Sequence, residues 1–463
     1  MQLSFHGADL GVTGSCHLLE CNGKKILIDC GMYQGGHELA EDNAADFGFA
    51  PSDIDFLLLT HAHLDHSGRI PLLVKRGFRG EIITTSASRE LARLVMLDAA
   101  HLQEEEARYQ SRKRVRHGSK AMPEPLYSVL DALNSTEQFG RTAQYGQDME
   151  LAPGIVATFY DAGHILGSAS ILLQLSEAGQ NRRVFFSGDI GNAGRPLLRA
   201  PQTPAEPVDV VIMETTYGDR QHKPLAPSVE ELYAAINETF RRGGNVVIPT
   251  FALERAQELL YYLREGSEQE RIPRSTQVFL DSPMAISATS IFTRHPDCYD
   301  SDIARAFHQG HDPFHMPGLH FTRETAESTA LNRIGGGAII MAGAGMCTGG
   351  RIRHHLRHNL WRKESSVIFV GFAAAGTLAR LIIDGVKHVR IFGEDIPVRA
   401  RIHTINGFSA HADQAELLAW HKQLGSPART YLVHGEPDTM RQFALQLHDT
   451  DVILPELHQR FAL

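Results

Sequence analysis

Short apolar runs separated by turns recur through the first half of the chain, as in KKILIDCG, DIDFLLLTHAH, GIVATFYDAGH and RRVFFSGDIGN. Runs of this length, bounded by turn residues, predict β-strands. Several of them end in Asp, His or Gly, so the predicted strands display polar side chains at their ends. A helical tract from about Ser88 to Arg116 interrupts this pattern.

The middle of the chain has a different pattern, in which helical segments alternate with single apolar strands. SVEELYAAINETFRRGG precedes NVVIPTFA, and ERAQELLYYLREG precedes TQVFLDSP. Repeated units of strand, loop and helix predict a parallel α/β domain. The last segment, ARTYLVHGE, again places a His-Gly pair after a strand, as in the first half.

Length and charge limit the classes of protein to consider. A chain of 463 residues is more naturally two domains than one. The formal net charge of −9 argues against a globally basic nucleic-acid-binding protein but allows a local basic groove. Two basic clusters exist, at 108–117 and 351–363. The first is explained equally well as a solvated helix, whereas the second follows a glycine-rich loop and favours phosphate binding.

Cellular location is predicted from what the sequence lacks. No apolar run reaches the roughly 18 residues of a membrane-spanning helix, so we expect no membrane partner. The N-terminal segment resembles no signal peptide. Five cysteines without metal-ligand spacing indicate reduced thiols and a cytoplasmic protein.

The segment THAHLDHSG carries the strongest chemical signal. His61 and His63 stand two residues apart after an apolar run, and Asp65 and His66 follow at once. Imidazole and carboxylate are ligands that zinc prefers, and two neighbouring ions activate a hydroxide while stabilising charge on the attacked atom. Taken whole, this loop predicts a metal site, and two metals need more ligands than it supplies.

Other strand ends offer the missing ligands, namely His164, Asp189 and His434. Asp189 is the natural bridging ligand, because a carboxylate can bind two ions. Any one of these residues, considered alone, is explained better by a structural role. Asp29 also ends a strand, where it either orients a ligand or forms a turn.

In this loop and beyond it, the sequence resembles the metallo-β-lactamase superfamily. The H-x-H-x-D-H loop is present, with Asp29, His164 and Asp189 in the expected order. The further segments ETTYGDR, VVIPTFALERAQELL, FLDSPMA, GAGMCTGGRIRHHL, GFAAAGTLAR, INGFSAHAD and LVHGE resemble the beta-CASP branch of nucleases. That branch includes the endonuclease subunit of the pre-mRNA cleavage machinery, ribonucleases J and Artemis, and this chain resembles its compact bacterial form.

The resemblance implies an αββα metallo-β-lactamase sandwich with an inserted parallel α/β beta-CASP domain. Mapped on this sequence, the catalytic domain would comprise residues 1–208 and 396–463, and the insert residues 209–395. An insert of this kind would explain why the ligand His434 lies so far along the chain.

The resemblance also implies roles for individual residues. One zinc would be held by His61, His63 and His164, the second by Asp65, His66 and His434, with Asp189 between them and Asp65 also counted as catalytic. Glu214 and His411 would form an acid pair that protonates the leaving oxygen. Phosphate contacts, or ordinary helix capping, are equally favoured for Ser409, Gly376, Thr377 and Arg380.

The implied function is a ribonuclease with two Zn²⁺ ions that hydrolyses single-stranded RNA, as an endonuclease, a 5′-to-3′ exonuclease or both, in RNA processing or decay. His434 favours RNA, because DNA-cleaving members of the branch lack a His in this motif. The alternatives are a DNA nuclease, a glyoxalase II-like hydrolase of small thioesters, and a non-catalytic partner. A homodimer is one option for the oligomeric state.

Three residues depart from the usual pattern of the branch. Ala373 and Ala379 stand where Gln and Gly are common, and Glu254 stands where Gly is usual. None is a proposed metal ligand, so we expect the chemistry to be unaffected. We expect Ala373 and Ala379 to alter the grip on RNA, whereas Glu254 adds charge near a helix start.

Overall fold

The computed structural model describes residues 1–35, 39–116, 124–371, 373 and 376–463. By compactness the chain divides into two units. The first comprises Met1–Gln221 and His411–Leu463, and the second comprises His222–Ala410. Within the basic cluster 108–117, residue 117 lies outside the described residues, and so do 372, 374 and 375 of the GFAAAGTLAR segment. No helix in the described part of the chain is long and apolar enough to cross a membrane.

The strands, in chain order, are β1 (Gln2–Phe5), β2 (His17–Cys21), β3 (Lys24–Ile28), β4 (Phe56–Leu58), β5 (Glu81–Thr85), β6 (Phe139–Ala143), β7 (Asp148–Ala152), β8 (Ile155–Asp161), β9 (Ala169–Glu177), β10 (Gln180–Phe186), β11 (Val210–Glu214), β12 (Val246–Pro249), β13 (Gln277–Leu280), β14 (Leu319–Phe321), β15 (Ala338–Ala342), β16 (Ser366–Phe369), β17 (His388–Ile391), β18 (Glu394–Pro397), β19 (Arg401–Thr404), β20 (Arg429–Val433), β21 (Asp451–Ile453) and β22 (Arg460–Ala462).

The α-helices, in chain order, are α1 (Leu39–Ala44), α2 (Leu64–Ser67), α3 (Ile70–Lys75), α4 (Ser86–Arg116), α5 (Val129–Ser135), α6 (Leu225–Arg241), α7 (Arg255–Glu268), α8 (Pro283–Phe292), α9 (Ser301–His308), α10 (Thr325–Leu331), α11 (Ile352–Asn359), α12 (Leu378–Ile383), α13 (Gln414–Lys422) and α14 (Pro437–Ala444).

The first unit contains two seven-stranded mixed sheets. Their spatial orders are β22-β1-β2-β3-β4-β5-β6 and β21-β20-β11-β10-β9-β8-β7. Alternate residues of both sheets meet in one buried core, for example Ile26 and Ile28 of β3 with Ala157 of β8 and Ile171 of β9. The two sheets therefore form a sandwich, as strands with one apolar face require.

Helices cover the outer faces of this sandwich. Leu417 and Trp420 of α13 and Phe443 of α14 pack with Val211 and Leu432 of the second sheet. On the other side, α4 lies against β5 and β6. The order of layers is helix, sheet, sheet, helix, which confirms the predicted αββα fold.

The second unit contains a six-stranded sheet with the order β14-β13-β15-β12-β16-β19. All its strand pairs are parallel, which confirms the predicted parallel α/β domain. The central strand β12 is buried along its whole length, as expected for a parallel strand covered on both faces. A separate antiparallel hairpin is formed by β17 and β18.

Two strands join a different sheet from the one that the predicted domain limits suggest. β11 falls within the predicted insert 209–395, yet it pairs with β10 and β20 in the first unit. β19 falls within the predicted segment 396–463, yet it pairs with β16 in the second unit. The limits themselves stay a prediction, since sheet pairing is set by neighbours far along the chain that local composition does not reveal.

Candidate metal centre

Hydrogen bonds to Asp29 hold the loop that follows β4 and carries the histidines. The carboxylate of Asp29 accepts hydrogen bonds from the backbone N–H of Thr60 and from its hydroxyl, both at 2.8 Å. Asp29 itself has a positive φ of 61° at the end of β3, which turns its side chain toward this loop. His63 then precedes the first residue of the short helix α2.

Four side chains from three loops form the first group of potential ligands. They are His61, His63, His164 and Asp189, whose ligand atoms all lie within 4.8 Å of one another. Nδ1 of His63 lies 3.1 Å from Nε2 of His61 and 3.2 Å from Nε2 of His164. Oδ2 of Asp189 is 3.4 Å from Nε2 of both His61 and His164.

A second group adjoins the first and consists of Asp65, His66 and His434. Nε2 of His66 lies 3.2 Å from Nε2 of His434, and Oδ2 of Asp65 lies 3.5 Å from the same His434 nitrogen. The other oxygen of Asp189, Oδ1, is 3.2 Å from Nε2 of His66. The carboxylate of Asp189 therefore faces both groups, one oxygen toward each.

These distances fit zinc ligands. Ligand nitrogens at about 2.0–2.1 Å from a tetrahedral zinc lie about 3.3 Å from one another, close to the separations found between His61, His63 and His164. Oδ1 of Asp189 is buried and forms no well-directed hydrogen bond within the described residues, although Nε2 of His66 is 3.2 Å away. A buried carboxylate oxygen of this kind is stabilised by a cation.

The lowered pKa values of three histidines also fit metal binding. Burial lowers the pKa of His63 to about 3 and lowers the pKa of His61 and of His164. These rings are therefore neutral near pH 7, the form that binds metal. Burial also opposes protonation of His66, but Asp189 and Asp29 outweigh it and raise the pKa of His66, so a bound metal would have to displace the proton on this ring.

Hydrogen bonds fix the orientation of several rings. Nδ1 of His66 is 2.7 Å from Oδ2 of Asp29, an arrangement typical of metal-binding histidines. Nδ1 of His434 is 3.1 Å from the hydroxyl of Thr216. Thr60 and Thr216 were not singled out from the sequence. In the sequence, only their positions beside proposed site residues point to them: Thr60 directly precedes His61, and Thr216 closely follows Glu214.

Glu214 and His411 also meet in this unit. Oε1 of Glu214, at the end of β11, accepts a hydrogen bond from the backbone N–H of Ile190 at 2.6 Å and lies 3.2 Å from Nδ1 of His411. Burial opposes protonation of His411, but Glu214 and then Asp189 outweigh it and raise the pKa of His411 to about 9. His411 is 21% exposed, so a proton on its ring is accessible.

Glu214 also lies close to the metal-ligand groups. Its carboxylate is within 4.8 Å of ligand atoms of Asp189 and His434. Two roles are therefore open to it by geometry, as a partner of His411 or as a metal ligand.

The four residues predicted to contact phosphate lie in the second unit. The Thr377 hydroxyl caps α12 by accepting from the backbone N–H of Arg380 at 3.3 Å. Arg380 forms an exposed ion pair with Asp384 at 2.9 Å. Gly376 has a positive φ of 79° just before this cap. Thr377 therefore caps α12, and phosphate contacts at Ser409, Gly376, Thr377 and Arg380 stay a prediction.

The residues that depart from the family pattern occupy structured positions. Glu254 precedes α7 with a positive φ of 61° and is buried. Ala379 and Ala373 are buried among apolar neighbours of the second unit.

Comparison with known families covers most of the chain. Residues 10–250 match the metallo-beta-lactamase superfamily, residues 256–382 match the Beta-Casp domain, and residues 395–455 match the Zn-dependent metallo-hydrolase RNA specificity domain. The last match contains both His411 and His434.

Individual relatives are similar over nearly the full chain. Ribonuclease TTHA0252 of Thermus thermophilus is 40% identical over 95% of this chain and 94% of its own length. The transcription termination factor FttA of Methanocaldococcus jannaschii is 31% identical over 96% of this chain, which spans 68% of that protein.

A solved structure supports the fold independently. A protein of unknown function from Enterococcus faecalis superposes over 100% of this chain and 99% of its own, with a TM-score of 0.57 at 13% identity. From the matched families, the relatives and the cluster of His and Asp ligands, the chain belongs to the beta-CASP ribonuclease branch of the metallo-β-lactamase superfamily and is a zinc-dependent metallo-hydrolase.

Proposed function

We propose that this protein hydrolyses phosphodiester bonds of single-stranded RNA at a centre of two zinc ions. The observation that carries the proposal is the carboxylate of Asp189, whose two oxygens face two separate groups of ligands. One group alone would suffice for a single zinc, so the second group supports a two-metal site.

In this proposal His61, His63 and His164 hold one zinc, and Asp65, His66 and His434 hold the other, with Asp189 shared. Bound at these residues, zinc would supply Lewis-acid chemistry, which makes water nucleophilic near neutral pH and neutralises charge on a phosphate. Asp29 keeps the ring of His66 in its ligand orientation through the 2.7 Å contact with Nδ1.

The protein groups handle the protons. Asp65, which we also count as catalytic, would accept the proton that the attacking water loses. Attack breaks the bond from phosphorus to the 3′ oxygen, which leaves with the electron pair of that bond. His411, held protonated by Glu214, gives its proton to this oxygen, so the products are a 3′-hydroxyl and a 5′-phosphate.

RNA is favoured as the substrate by three observations. The match to an RNA specificity domain includes His411 and His434, and the similar protein from Thermus thermophilus is named a ribonuclease. His434 also separates this sequence from DNA-cleaving members of the branch. We propose cleavage inside the strand, trimming from the 5′ end, or both, in RNA processing or decay.

The rival functions are less well supported. A glyoxalase II-like thioester hydrolase needs neither the inserted unit nor the Glu214–His411 pair, and a non-catalytic partner would not need all seven ligands. A DNA nuclease is disfavoured by His434. We also propose a cytoplasmic location, since all five cysteines are free thiols. A homodimer, one option among relatives, is tested by the mass of the protein in solution.

The test uses zinc-loaded protein and one single-stranded RNA labelled at its 3′ end, carrying either a 5′-monophosphate or a 5′-hydroxyl, beside its DNA counterpart. We expect RNA cleavage that a chelator stops, and a requirement for the 5′-monophosphate would indicate exonucleolytic entry. Absence of RNA and DNA cleavage by protein that holds two zinc ions would contradict the proposal and favour the thioester hydrolase.

A further inference from the structure

The segment 351–363 of the second unit is strongly basic. Its sequence RIRHHLRHNLWRK contains four arginines, one lysine and three histidines and no acidic residue, in a chain of net charge −9. α11 occupies most of it. Such a local excess of positive charge on an acidic protein is suited to a polyanion.

Burial divides α11 into two faces. Ile352, His355, Leu356 and Asn359 are buried against the unit. The opposite side chains are exposed or half-buried, namely Arg353, His354, Arg357, His358 and Trp361. We call these five residues, together with Phe392 of the β17–β18 hairpin, the α11 face. Spacings of one and four residues place the first four on one side of the helix, and Trp361, 52% exposed, follows just beyond its end.

Phe392 stands at the tip of the β17–β18 hairpin in an unusual backbone conformation. Ile391 pairs with Glu394, so Phe392 and Gly393 form a two-residue loop, with φ values of 52° and 84°. Asn is the preferred residue at the first position of such a loop, and a bulky side chain there is an outlier. An aromatic ring at a strained turn position suggests a function for the ring.

The ring of Phe392 contacts two side chains of α11. The guanidinium of Arg353 lies 4.6 Å from its centroid, and the His354 ring is 4.4 Å away with a tilt of 32°. Phe392 is nevertheless 44% exposed, so part of its surface is open to a further ring. Arg357 anchors the hairpin by donating two hydrogen bonds to the carboxylate of Glu394, at 2.8 and 2.6 Å.

Two histidines of the α11 face have lowered pKa values. Burial and the neighbouring His355, Arg357 and Arg353 lower the pKa of His354. Burial and Arg357 likewise lower the pKa of His358. Both rings are therefore neutral near pH 7, and the fixed positive charge of the α11 face is carried by its arginines.

We propose that the α11 face binds single-stranded RNA as a contact surface additional to the metal centre. Bases stack on Phe392 and Trp361, and phosphates pair with the cations of the helix. This inference rests on the proposed function, in which RNA is the substrate. Exposed aromatic rings interleaved with cations are typical of surfaces that bind single-stranded nucleic acid, because every base can stack on a ring. An acidic protein segment would bind through the positive charges alone and would not require the exposed rings.

The test measures affinity for a nuclease-resistant phosphorothioate oligouridylate by fluorescence anisotropy. Phe392→Asn removes the ring but creates the Asn-Gly sequence that this turn prefers, so the hairpin is retained. Trp361→Ala removes the second ring at an exposed position. We expect each variant to lose affinity by about tenfold, with unchanged thermal stability and an unchanged rate on a very short RNA.

A matched pair of charge reversals gives the control. Arg353→Glu and Arg305→Glu change the net charge equally, and Arg305 is an exposed residue of α9. We expect the first to weaken binding strongly and to flatten its salt dependence, and the second to have little effect.

Wild-type affinity in both aromatic variants would overturn this inference, and so would equal losses from the two charge reversals. Tighter binding of polyglutamate than of oligouridylate would assign the face to an acidic protein instead. If wild-type protein cleaves RNA in these cases, the proposed function stands and only the α11 face is wrong. If wild-type protein neither binds nor cleaves RNA, the proposed function itself fails.

Discussion

Nδ1 of His411 lies 3.2 Å from Oε1 of Glu214, a carboxylate without solvent exposure. Glu214 also accepts hydrogen bonds from the backbone N–H groups of Ile190 and Thr216, at 2.6 and 3.3 Å. A buried carboxylate held this way stabilises a proton on the neighbouring imidazole. The role that we propose for this pair is therefore proton donation.

Replacement of the proton donor should slow the reaction without loss of metal. We expect His411→Ala to retain its zinc and to cleave RNA about 10²- to 10⁴-fold more slowly, the usual contribution of a general acid. The same variant should hydrolyse bis(p-nitrophenyl) phosphate with a much smaller defect, because p-nitrophenolate leaves without a proton. Loss of zinc in this variant would make His411 a ligand or structural residue, and an equal defect on both substrates would refute its role as the acid.

The neighbouring carboxylate is tested by Glu214→Gln, which preserves shape and removes charge. We expect retained zinc and a loss of RNA cleavage that is not increased by adding His411→Ala, since the two residues act as one unit. The measurements are the zinc content and the rates of RNA cleavage of the two single variants and the double variant. A variant short of zinc would show that the proximity of Glu214 to Asp189 and His434 reflects metal binding.

The metal-binding loop is tested by His63→Ala. The ring of His63 contributes to the ligand group rather than to the apolar core, so we expect cleavage to be abolished with little loss of folding. His101→Ala is the matched control, because His101 is an exposed histidine of α4. Zinc analysis, unfolding curves and RNA cleavage would be compared. Normal activity of His63→Ala would refute the ligand assignment.

Asp161, the last residue of β8, predicts a pH dependence of stability. Burial raises its pKa to about 7, although the backbone N–H of Gly163 and Arg199 oppose the shift. The folded state then binds the proton more tightly than the unfolded chain, so stability is lost as pH rises from about 4 toward 7. Between pH 5 and 8 this group should cost about 2–3 kcal/mol.

Asp161→Asn removes this titration while leaving an oxygen to accept from Gly163. We expect the variant to gain stability relative to wild type as the pH of urea unfolding rises from 5 to 8. A difference between the two proteins that does not change with pH would show that the Asp161 carboxyl is not held protonated.

Much of the candidate site was predictable because its residues follow apolar strands. His434 comes directly after β20, and His61 and Asp189 come within three residues of the ends of β4 and β10. Spacing alone drew attention to the loop His61–His66. For Glu214 and His411 the sequence offered only a family resemblance, since one carboxylate and one histidine about two hundred residues apart carry no local pattern.

Contacts between positions far apart in the sequence were not predictable. In the second unit, Asp281 accepts from Ser328 at 2.6 Å and Thr322 at 2.7 Å, and it also contacts His355 and Arg351. This buried network joins segments that only the folded chain brings together. The same reason applies to β11 and β19, whose sheet depends on partners and not on their own apolar sequence.

The most direct test of the two-zinc ribonuclease is a zinc titration of metal-free protein, followed by the rate of cleavage of single-stranded RNA. We expect the rate to rise until two zinc ions are bound per chain, a chelator to reverse the rise, and DNA of the same sequence to stay intact. A full rate at one zinc ion per chain, or cleavage without metal, would contradict the two-zinc proposal.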